Sequence, residues 1–316
     1  MGRFLIQRAS FALLTLMAAT VIVFTVSRLT GDPRQFMIRP EGYGVTPEQY
    51  EELGRKLGLD KPLVAQYLKW LGQVAQGDFG KTVQTQRSVS EVIRERLPNT
   101  LQLAGAGWLL ATLVGVPLGV MSAVKRGSVL DHAGRVFAIL GQAVPGFWLG
   151  IMSVLIFSVH LGLLPTSTKG SPDASILQQL KYFVLPAVTL GWGGAAGYMR
   201  LTRSSMLDVL DSEYVKLARA KGVSTYKLIW KHAFRNALIP PITFSALLLA
   251  FFLNGQVIIE TVFGWPGLGR LATESVFQND YTTMTAAVLM FALLYSIASF
   301  AADLAYAVVD PRVRFT

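Results

Sequence analysis

The chain has 316 residues, of which 52% are hydrophobic and only 15% charged, and its formal net charge is +10. An ordinary soluble domain carries about 25% charged residues, and several apolar runs here approach the ~20 residues that cross ~30 Å of hydrocarbon, so the composition indicates a polytopic membrane protein. The absence of cysteine excludes a disulfide framework, a thiolate metal site and a cysteine nucleophile, and three histidines at unrelated positions (His132, His160, His232) make no metal set.

The first span covers residues 9–27, fenced by Arg8 and Arg28. It is too long for a signal-peptide core and no small-x-small cleavage site follows, so a retained helix is expected. A polar stretch, 29–98, comes next. Thr46-Pro-Glu-Gln49 starts a helix that Gly58 ends. Leu63, Tyr67, Trp70, Leu71 and Val74 recur at helical spacing. Ser88-Val-Ser-Glu91 is a second capping box ahead of Val92, Ile93 and Leu97. The stretch reads as a small helical subdomain. Within it, Gly77-Asp-Phe-Gly-Lys-Thr82 ends like a phosphate-binding loop, but the motif's first glycine would fall at Ala75 and no buried strand precedes it. A solvated turn is expected there, with no ATP.

Further spans are expected over 100–124, 136–161, 182–199, 239–262 and 284–309, giving an all-α membrane protein with six transmembrane helices. Pro117, Pro145, Pro186, Gly115, Gly191 and Gly194 fall inside them; membrane helices tolerate such residues because neighbours satisfy the freed backbone groups and small residues allow close contact. Six spans put both termini on one side. The segments on that side hold fifteen basic residues against five acidic ones, an excess equal to the whole net charge. The positive-inside tendency therefore makes both termini cytoplasmic and the 29–98 subdomain extracytoplasmic.

The polar loop between spans four and five, 211–236, is basic and shaped. Asp211 or Ser212 caps a short helix, Gly222 supplies a left-handed stop, Ser224 caps a second helix, and Pro240 marks the return to the membrane. Both ends enter the bilayer within a few residues, so this hairpin cannot lie along a DNA major groove, and no nucleic-acid partner is expected. Orienting the protein or touching anionic lipid needs charge alone. Two capped helices around a glycine point instead to a protein-docking element.

Polar groups inside spans are functional candidates by default. Gln142, Asn254, Gln256, Glu260 and Asp303 qualify. Packing or gate-closing hydrogen bonds are the first expectation for each, and contact with a translocated substrate the second. Glu260 is expected to be half-solvated near the outer end of span five. Phe263-Gly-Trp-Pro-Gly-Leu-Gly269 reads as a rigid turn at the outer mouth, with Trp265 in an interface belt.

Glu213-Tyr-Val-Lys-Leu-Ala-Arg-Ala-Lys-Gly222 and Lys231-His-Ala-Phe-Arg-Asn-Ala-Leu-Ile-Pro240 resemble the coupling loop of bacterial ABC importer permeases. Gly31-Asp-Pro33, Leu57-Gly-Leu-Asp-Lys-Pro62, Gly77-Asp-Phe-Gly80, Leu97-Pro-Asn-Thr100, Ala123-Val-Lys-Arg-Gly127, Arg203-Ser-Ser-Met206, the 263–269 turn and Asp310-Pro-Arg-Val-Arg314 narrow the match to first-subunit members of the dipeptide/oligopeptide permease family. The general pattern opens Glu-Ala-Ala, where this chain has Lys216-Leu-Ala218, so a salt bridge from that glutamate does not carry over.

The resemblance implies a type I ABC importer permease fold in the bacterial cytoplasmic (inner) membrane. It also implies a homologous second permease subunit, two cytoplasmic ATPase subunits or domains that hold the ATP and magnesium, and an extracytoplasmic substrate-binding protein. Membrane lipid surrounds the assembly. Glu213, Tyr214, Lys216, Ala218, Arg219, Ala220, Lys221 and Gly222 are the expected ATPase-coupling residues; Gln142, Asn254, Gln256 and Glu260 are the path or gate candidates. The expected divisions are 1–28, 29–98 and 99–316. No catalytic, metal or cofactor residue is expected in this chain. Peptides are the first substrate class, with glutathione, nickel chelates, opines and oligosaccharides as alternatives. An ion-driven secondary transporter would show internal repeats and paired midplane charges, and a membrane enzyme a nucleophile with its base; neither pattern is present.

Overall fold

The structure is a computed structural model that describes residues 2–29, 47–57, 59–166, 168–170, 173, 175–254 and 256–309. Among these, the regular structure is helical, with one isolated antiparallel bridge between Lys81 and Ser88. The helices are α1 (Gly2–Leu29), α2 (Pro47–Leu57), α3 (Leu63–Ala75), α4 (Val89–Val124), α5 (Val129–Ala143), α6 (Gly146–His160), α7 (Ile176–Leu210), α8 (Glu213–Ala220), α9 (Thr225–Ala237), α10 (Ile239–Asn254), α11 (Val257–Val262), α12 (Leu268–Phe277) and α13 (Tyr281–Val309). The start and stop residues expected for α2, Thr46 and Gly58, lie outside the described residues, as do Gly31-Asp-Pro33 and Asp310-Pro-Arg-Val-Arg314.

Three helices are long and apolar enough to cross a membrane, within Ile6–Leu29, Val89–Val124 and Tyr281–Leu304; counting each bent pair as one span raises this to five. The expected single helix over 136–161 is broken. α5 and α6 meet at 104°, because Val144 is extended (φ −83°, ψ 122°) ahead of Pro145, the conformation a following proline imposes. The expected span over 239–262 is likewise divided into α10 and α11. α9 and α10 are bent by 51° where Pro240 and Pro241 open α10, the place where a missing N–H is tolerated. Span two is longer than expected: α4 runs unbroken through Pro98, so the expected boundary at 98/99 falls inside a helix. Ser88 is its N-cap residue, yet its side chain makes no capping bond, so the second capping box does not form.

α4 and α7 are the centre of the molecule. Their backbones touch because glycines remove the intervening side chains: a Cβ on Gly119 would lie 2.6 Å from Thr202 Cβ, and one on Gly191 2.8 Å from the Gly107 carbonyl oxygen. This is the small-residue packing of membrane helices. Around that seam Leu103, Ala111, Leu190, Ala195, Tyr198, Leu248, Phe252 and Phe263 form the main core, shared with α10 and α11. α7 is absent from the apolar-span set on composition; its buried face mixes Ala187, Gly191, Gly194, Ala195 and Ala196 with Leu185 and Leu190.

At the end where α4 and α7 begin, α3 lies against α1. Phe24 packs on Tyr67 and Trp70 with ring centroids 5.4 and 5.5 Å apart, and the Thr20 and Tyr67 hydroxyls are 2.9 Å apart. The 77–88 segment is a turn, with Gly77 and Gly80 at positive φ. Gly77, Asp78, Gly80 and Lys81 are exposed, as expected of a solvated turn, but the segment is also anchored. Phe79 packs against the cluster of Val89, Ile93, Leu268, Leu271 and Ala286, and the Val83 N–H donates to Asp280 Oδ2 at 3.0 Å. Asp280, buried at the start of α13, also accepts from the Thr283 N–H and hydroxyl.

Candidate functional site: a docking hairpin and two polar locks

At the opposite end of the bundle the 211–236 loop is a hairpin of α8 and α9. Its first helix closes with a Schellman arrangement: the Gly222 N–H donates to Arg219 O (3.0 Å) and the Val223 N–H to Ala218 O (3.2 Å), with Gly222 at φ +77°. That satisfies the last carbonyls of α8 and needs a left-handed residue. The N-terminal caps differ from expectation. Asp211 terminates α7, and the Ser212 hydroxyl donates back to Val209 O (2.5 Å) instead of accepting from α8. Ser224 holds α9 only through its carbonyl, which accepts from Leu228 N–H at 2.9 Å. α9 is not a regular α-helix: Leu228–Phe234 is π-helical, with one residue more per turn.

Tyr214 closes the hairpin. Its hydroxyl donates to His232 O (3.4 Å) and accepts from Asn236 Nδ2 (3.1 Å), joining α8 to α9. Val215, Leu228, Ala233 and Ala237 are buried. Ala233 and Ala237, with Ile229 and Phe234, pack on Val120, Ala123 and Met206, seating the hairpin on the ends of α4 and α7. Lys216, Arg219, Ala220, Lys221 and Gly222 face solvent, and Ala218 is half-buried. Lys216 pairs with Glu213 at 2.8 Å, which raises the Lys216 ammonium pKa above its ordinary value. Leu217, Tyr226 and Trp230 add exposed apolar surface to this basic hairpin. Sequence reasoning overlooked them, although Tyr226 and Trp230 stand one helical turn apart.

Beside the hairpin's seat is a buried ion pair, also overlooked. Asp131 is 1% exposed and receives Arg203 as a fork: Nε to Oδ1 at 2.6 Å and Nη2 to Oδ2 at 3.0 Å. The Ser122 hydroxyl donates to Oδ1 (2.5 Å) and the Gly127 N–H to Oδ2 (3.0 Å). One carboxylate thus ties α4, the turn after it, α5 and α7. Its sequence signal was Arg203-Ser-Ser-Met206 and Ala123-Val-Lys-Arg-Gly127, motifs noted only for their resemblance.

At the far end Glu260 builds a second lock. It is wholly buried, not half-solvated. Oε1 accepts from the Thr100 hydroxyl (2.7 Å); Oε2 accepts from the Gly269 and Arg270 N–H groups (2.7 and 3.1 Å). The carboxylate therefore sits on the N-terminus of α12, where unpaired N–H groups and the helix dipole favour negative charge. Thr100 Oγ1 in turn accepts from Leu268 N–H at 2.8 Å. Gly267 and Gly269 are required by approach: a Cβ on Gly267 would strike the Glu260 carboxylate, and one on Gly269 would lie 2.6 Å from Val257 Cα. Trp265 is fully buried instead of lying in an interface belt. Its indole N–H donates to Asn99 O (3.0 Å), and its ring meets Phe183 edge-on at 4.5 Å. Asn99 Nδ2 donates to Pro266 O (2.8 Å). The Leu97-Pro-Asn-Thr100 and Phe263–Gly269 motifs are two halves of one joint.

The path candidates separate. Gln256 is buried, with its Nε2 donating to Phe252 O and its Oε1 without a protein partner. Glu260 is spent in the lock. The Asn254 side chain lies outside the described residues. Gln142 alone is exposed, and its Oε1 accepts from Arg200 Nη1 at 2.8 Å. Asp303 pairs with Arg8 at 3.2 Å, joining α13 to α1. No group of three or more His, Asp or Glu side chains is placed to hold a metal among the described residues.

The chain matches two family models: binding-protein-dependent transport system inner membrane component over residues 115–315, and the N-terminal part of such membrane components over residues 1–104. It is 38% identical over 319 residues to the oligopeptide transport system permease protein AppB of Bacillus subtilis, covering 100% of each chain. It is 35% identical over 338 residues to the dipeptide transport system permease protein DppB of Escherichia coli K12, covering 99% of each. It is 38% identical over 316 residues to the glutathione transport system permease protein GsiC of Salmonella paratyphi A, covering 100% of each. Among solved structures it is similar to the MetNI methionine ABC transporter in an inward-facing form, with TM-score 0.56, 18% identity, and 69% of this chain and 96% of that chain covered. An amino acid ABC transporter gives TM-score 0.54 at 14% identity, covering 69% of this chain and 94% of that one.

Proposed function

This chain belongs to the binding-protein-dependent transport system inner membrane component family, and we propose on that premise that it moves di- or oligopeptides into the cell and takes its driving force through the α8–α9 hairpin. The family and the fold make it the membrane permease subunit of an ABC importer, in which ATP hydrolysis belongs to separate subunits. Peptide as cargo is supported by full-length relatives named for oligopeptide and dipeptide transport. Glutathione, itself a peptide, is the second reading, favoured by an equally similar relative.

The observation that carries the coupling role is the hairpin's construction. A topology signal would need only lysine and arginine. Here a Schellman stop, a tyrosine clasp and a packed seat hold Leu217, Tyr226 and Trp230 in solvent beside Lys216, Arg219 and Lys221. Exposed apolar side chains rimmed by charge mark a protein interface. An ATPase subunit grips this surface, with a second one on a homologous permease subunit that completes the channel. Both termini and the hairpin are cytoplasmic. α7 is the sixth span, too rich in glycine to register as one by hydropathy. The Glu260 end, with residues 29–98, faces outward, where a substrate-binding protein docks.

The test is Gly222. A Cβ there meets nothing within 4 Å, so substitution acts through the backbone alone. A β-branched residue at φ +77° is strained by about 1–3 kcal/mol, enough for a roughly tenfold loss of docked ATPase. Gly222→Val is expected to co-purify with little ATPase and to lose uptake. Gly222→Asn, which visits this region readily, is expected to retain both. Wild-type ATPase stoichiometry and uptake in Gly222→Val would show that energy enters elsewhere. Uptake of a labelled tripeptide against glutathione by the assembled system decides the cargo.

A further inference from the structure

From Leu185 onward α7 is buried on most of its circumference, yet one stripe toward the hairpin end is open. Gly193, Arg200, Ser204 and Asp208 are exposed, and Gly197 is half-buried between them. The spacing follows one helical face. The stripe is bounded by α5, where Gly141 and Gln142 approach Trp192 and Arg200, and by α10, where Phe244 faces Gly197. Its chemistry differs from other exposed helix faces in this chain, which present Leu13, Leu14 and Ile22 on α1 or Leu247 and Phe251 on α10.

An exposed arginine and glutamine within a span are costly against lipid tails, and such residues normally face a bundle interior or a water-filled cavity. Arg200 lies about three helical turns above the end of α7 at Leu210. Its guanidinium is held by only one contact among the described residues, the neutral Gln142 amide, with no carboxylate on it. Arg203, one turn away, is by contrast saturated by Asp131. A planar cation with free N–H groups, steadied by one amide, is the chemistry that takes a carboxylate as a fork.

We propose that Arg200, positioned by Gln142, forms a transient binding station on the aqueous face of α7 for the carboxylate of the translocated substrate, in a peptide its C-terminus. This rests on the peptide reading above. Gly193, exposed on the same stripe, leaves room for the chain of the cargo beside it.

Because the chain has no cysteine, accessibility can be read with single introduced thiols in the fully assembled transporter. Gly193→Cys and Ser204→Cys are expected to react with a charged, membrane-impermeant thiol reagent applied from the cytoplasmic side, while Leu14→Cys on the lipid-facing side of α1 does not. Unreactive thiols at both α7 positions would mean that lipid or the second permease subunit covers the stripe, and would overturn the proposal. The second arm measures uptake of trialanine and its C-terminal amide at saturating binding protein. Arg200→Gln is expected to lower the acid-to-amide rate ratio about tenfold relative to wild type, the scale of one hydrogen bond to a charged group; Arg200→Lys keeps part of it. If Arg200→Gln fails to assemble, Gln142→Ala is read instead, with a threefold drop (roughly half that effect on a logarithmic scale) expected. An unchanged ratio in an assembled variant also overturns the station. If wild type carries neither peptide, the peptide reading fails, and the thiol arm still decides whether the stripe is aqueous.

Discussion

Glu260→Ala is expected to release the far-end joint and destabilise the chain by about 3 kcal/mol, because two buried donors and one part-buried donor lose their acceptor and a buried one costs roughly 1–3 kcal/mol when left unmade. Those donors are the Thr100 hydroxyl and the N–H groups of Gly269 and Arg270. Glu260→Gln keeps the shape and one acceptor oxygen but turns an NH2 toward donors, so an intermediate loss is expected. Thr100→Val should cost about 1–3 kcal/mol by stranding the Leu268 N–H. Thermal unfolding of the purified assembly, with protease cleavage within 263–269, reads all three. A Glu260→Ala protein with wild-type melting and an intact turn would refute the lock.

Arg203→Ala is expected to be comparably severe and to damage transport in a distinctive way. It leaves a carboxylate that is 1% exposed without its forked partner, with only the more distant Arg135 at 3.9 Å, and breaking one side of a buried pair costs about 3–5 kcal/mol. Asp131→Asn combined with Arg203→Ala removes the stranded charge and should recover a large part of that loss. A double-mutant cycle measures the coupling. The pair sits beside the hairpin's seat on Val120, Ala123 and Met206. The double variant should therefore assemble yet spend more ATP per peptide moved than wild type. An additive cycle and a normal ATP-to-peptide ratio would reduce the pair to an incidental contact.

The sequence made the helices and their ends legible where a local rule acts alone. Gly222 was readable as a left-handed stop because only a few residues accept that conformation. The two locks were not readable, for a shared physical reason. Glu260 and Thr100 are 160 residues apart, and Asp131 and Arg203 are 72 apart. A carboxylate inside an apolar run announces a function without naming its partner, so Glu260 looked like a half-wet path residue. Trp265 was misplaced by the same logic: a tryptophan near a span end suits a membrane interface until Asn99 and Phe183 enclose it. The break at Val144–Pro145 was visible as Pro145, but proline in membrane helices is often absorbed. Only the extended Val144 shows that here it is not.

The unbroken length of α4 has a mechanical consequence. Its 36 residues span about 54 Å at ~1.5 Å per residue, from the Asp280-anchored turn at one end to the hairpin's seat at the other. Gly107, Gly115 and Gly119 press it onto α7 along its middle and inner portion, which makes that seam a fulcrum. Pivoted on the midpoint of that seam, a tilt of only ~10° swings the outer end by about 6 Å and the inner end by about 3 Å. Under the proposed coupling, a stroke delivered to the hairpin would reach the opposite end of α4 reversed in direction and enlarged, with no relay of side chains in between.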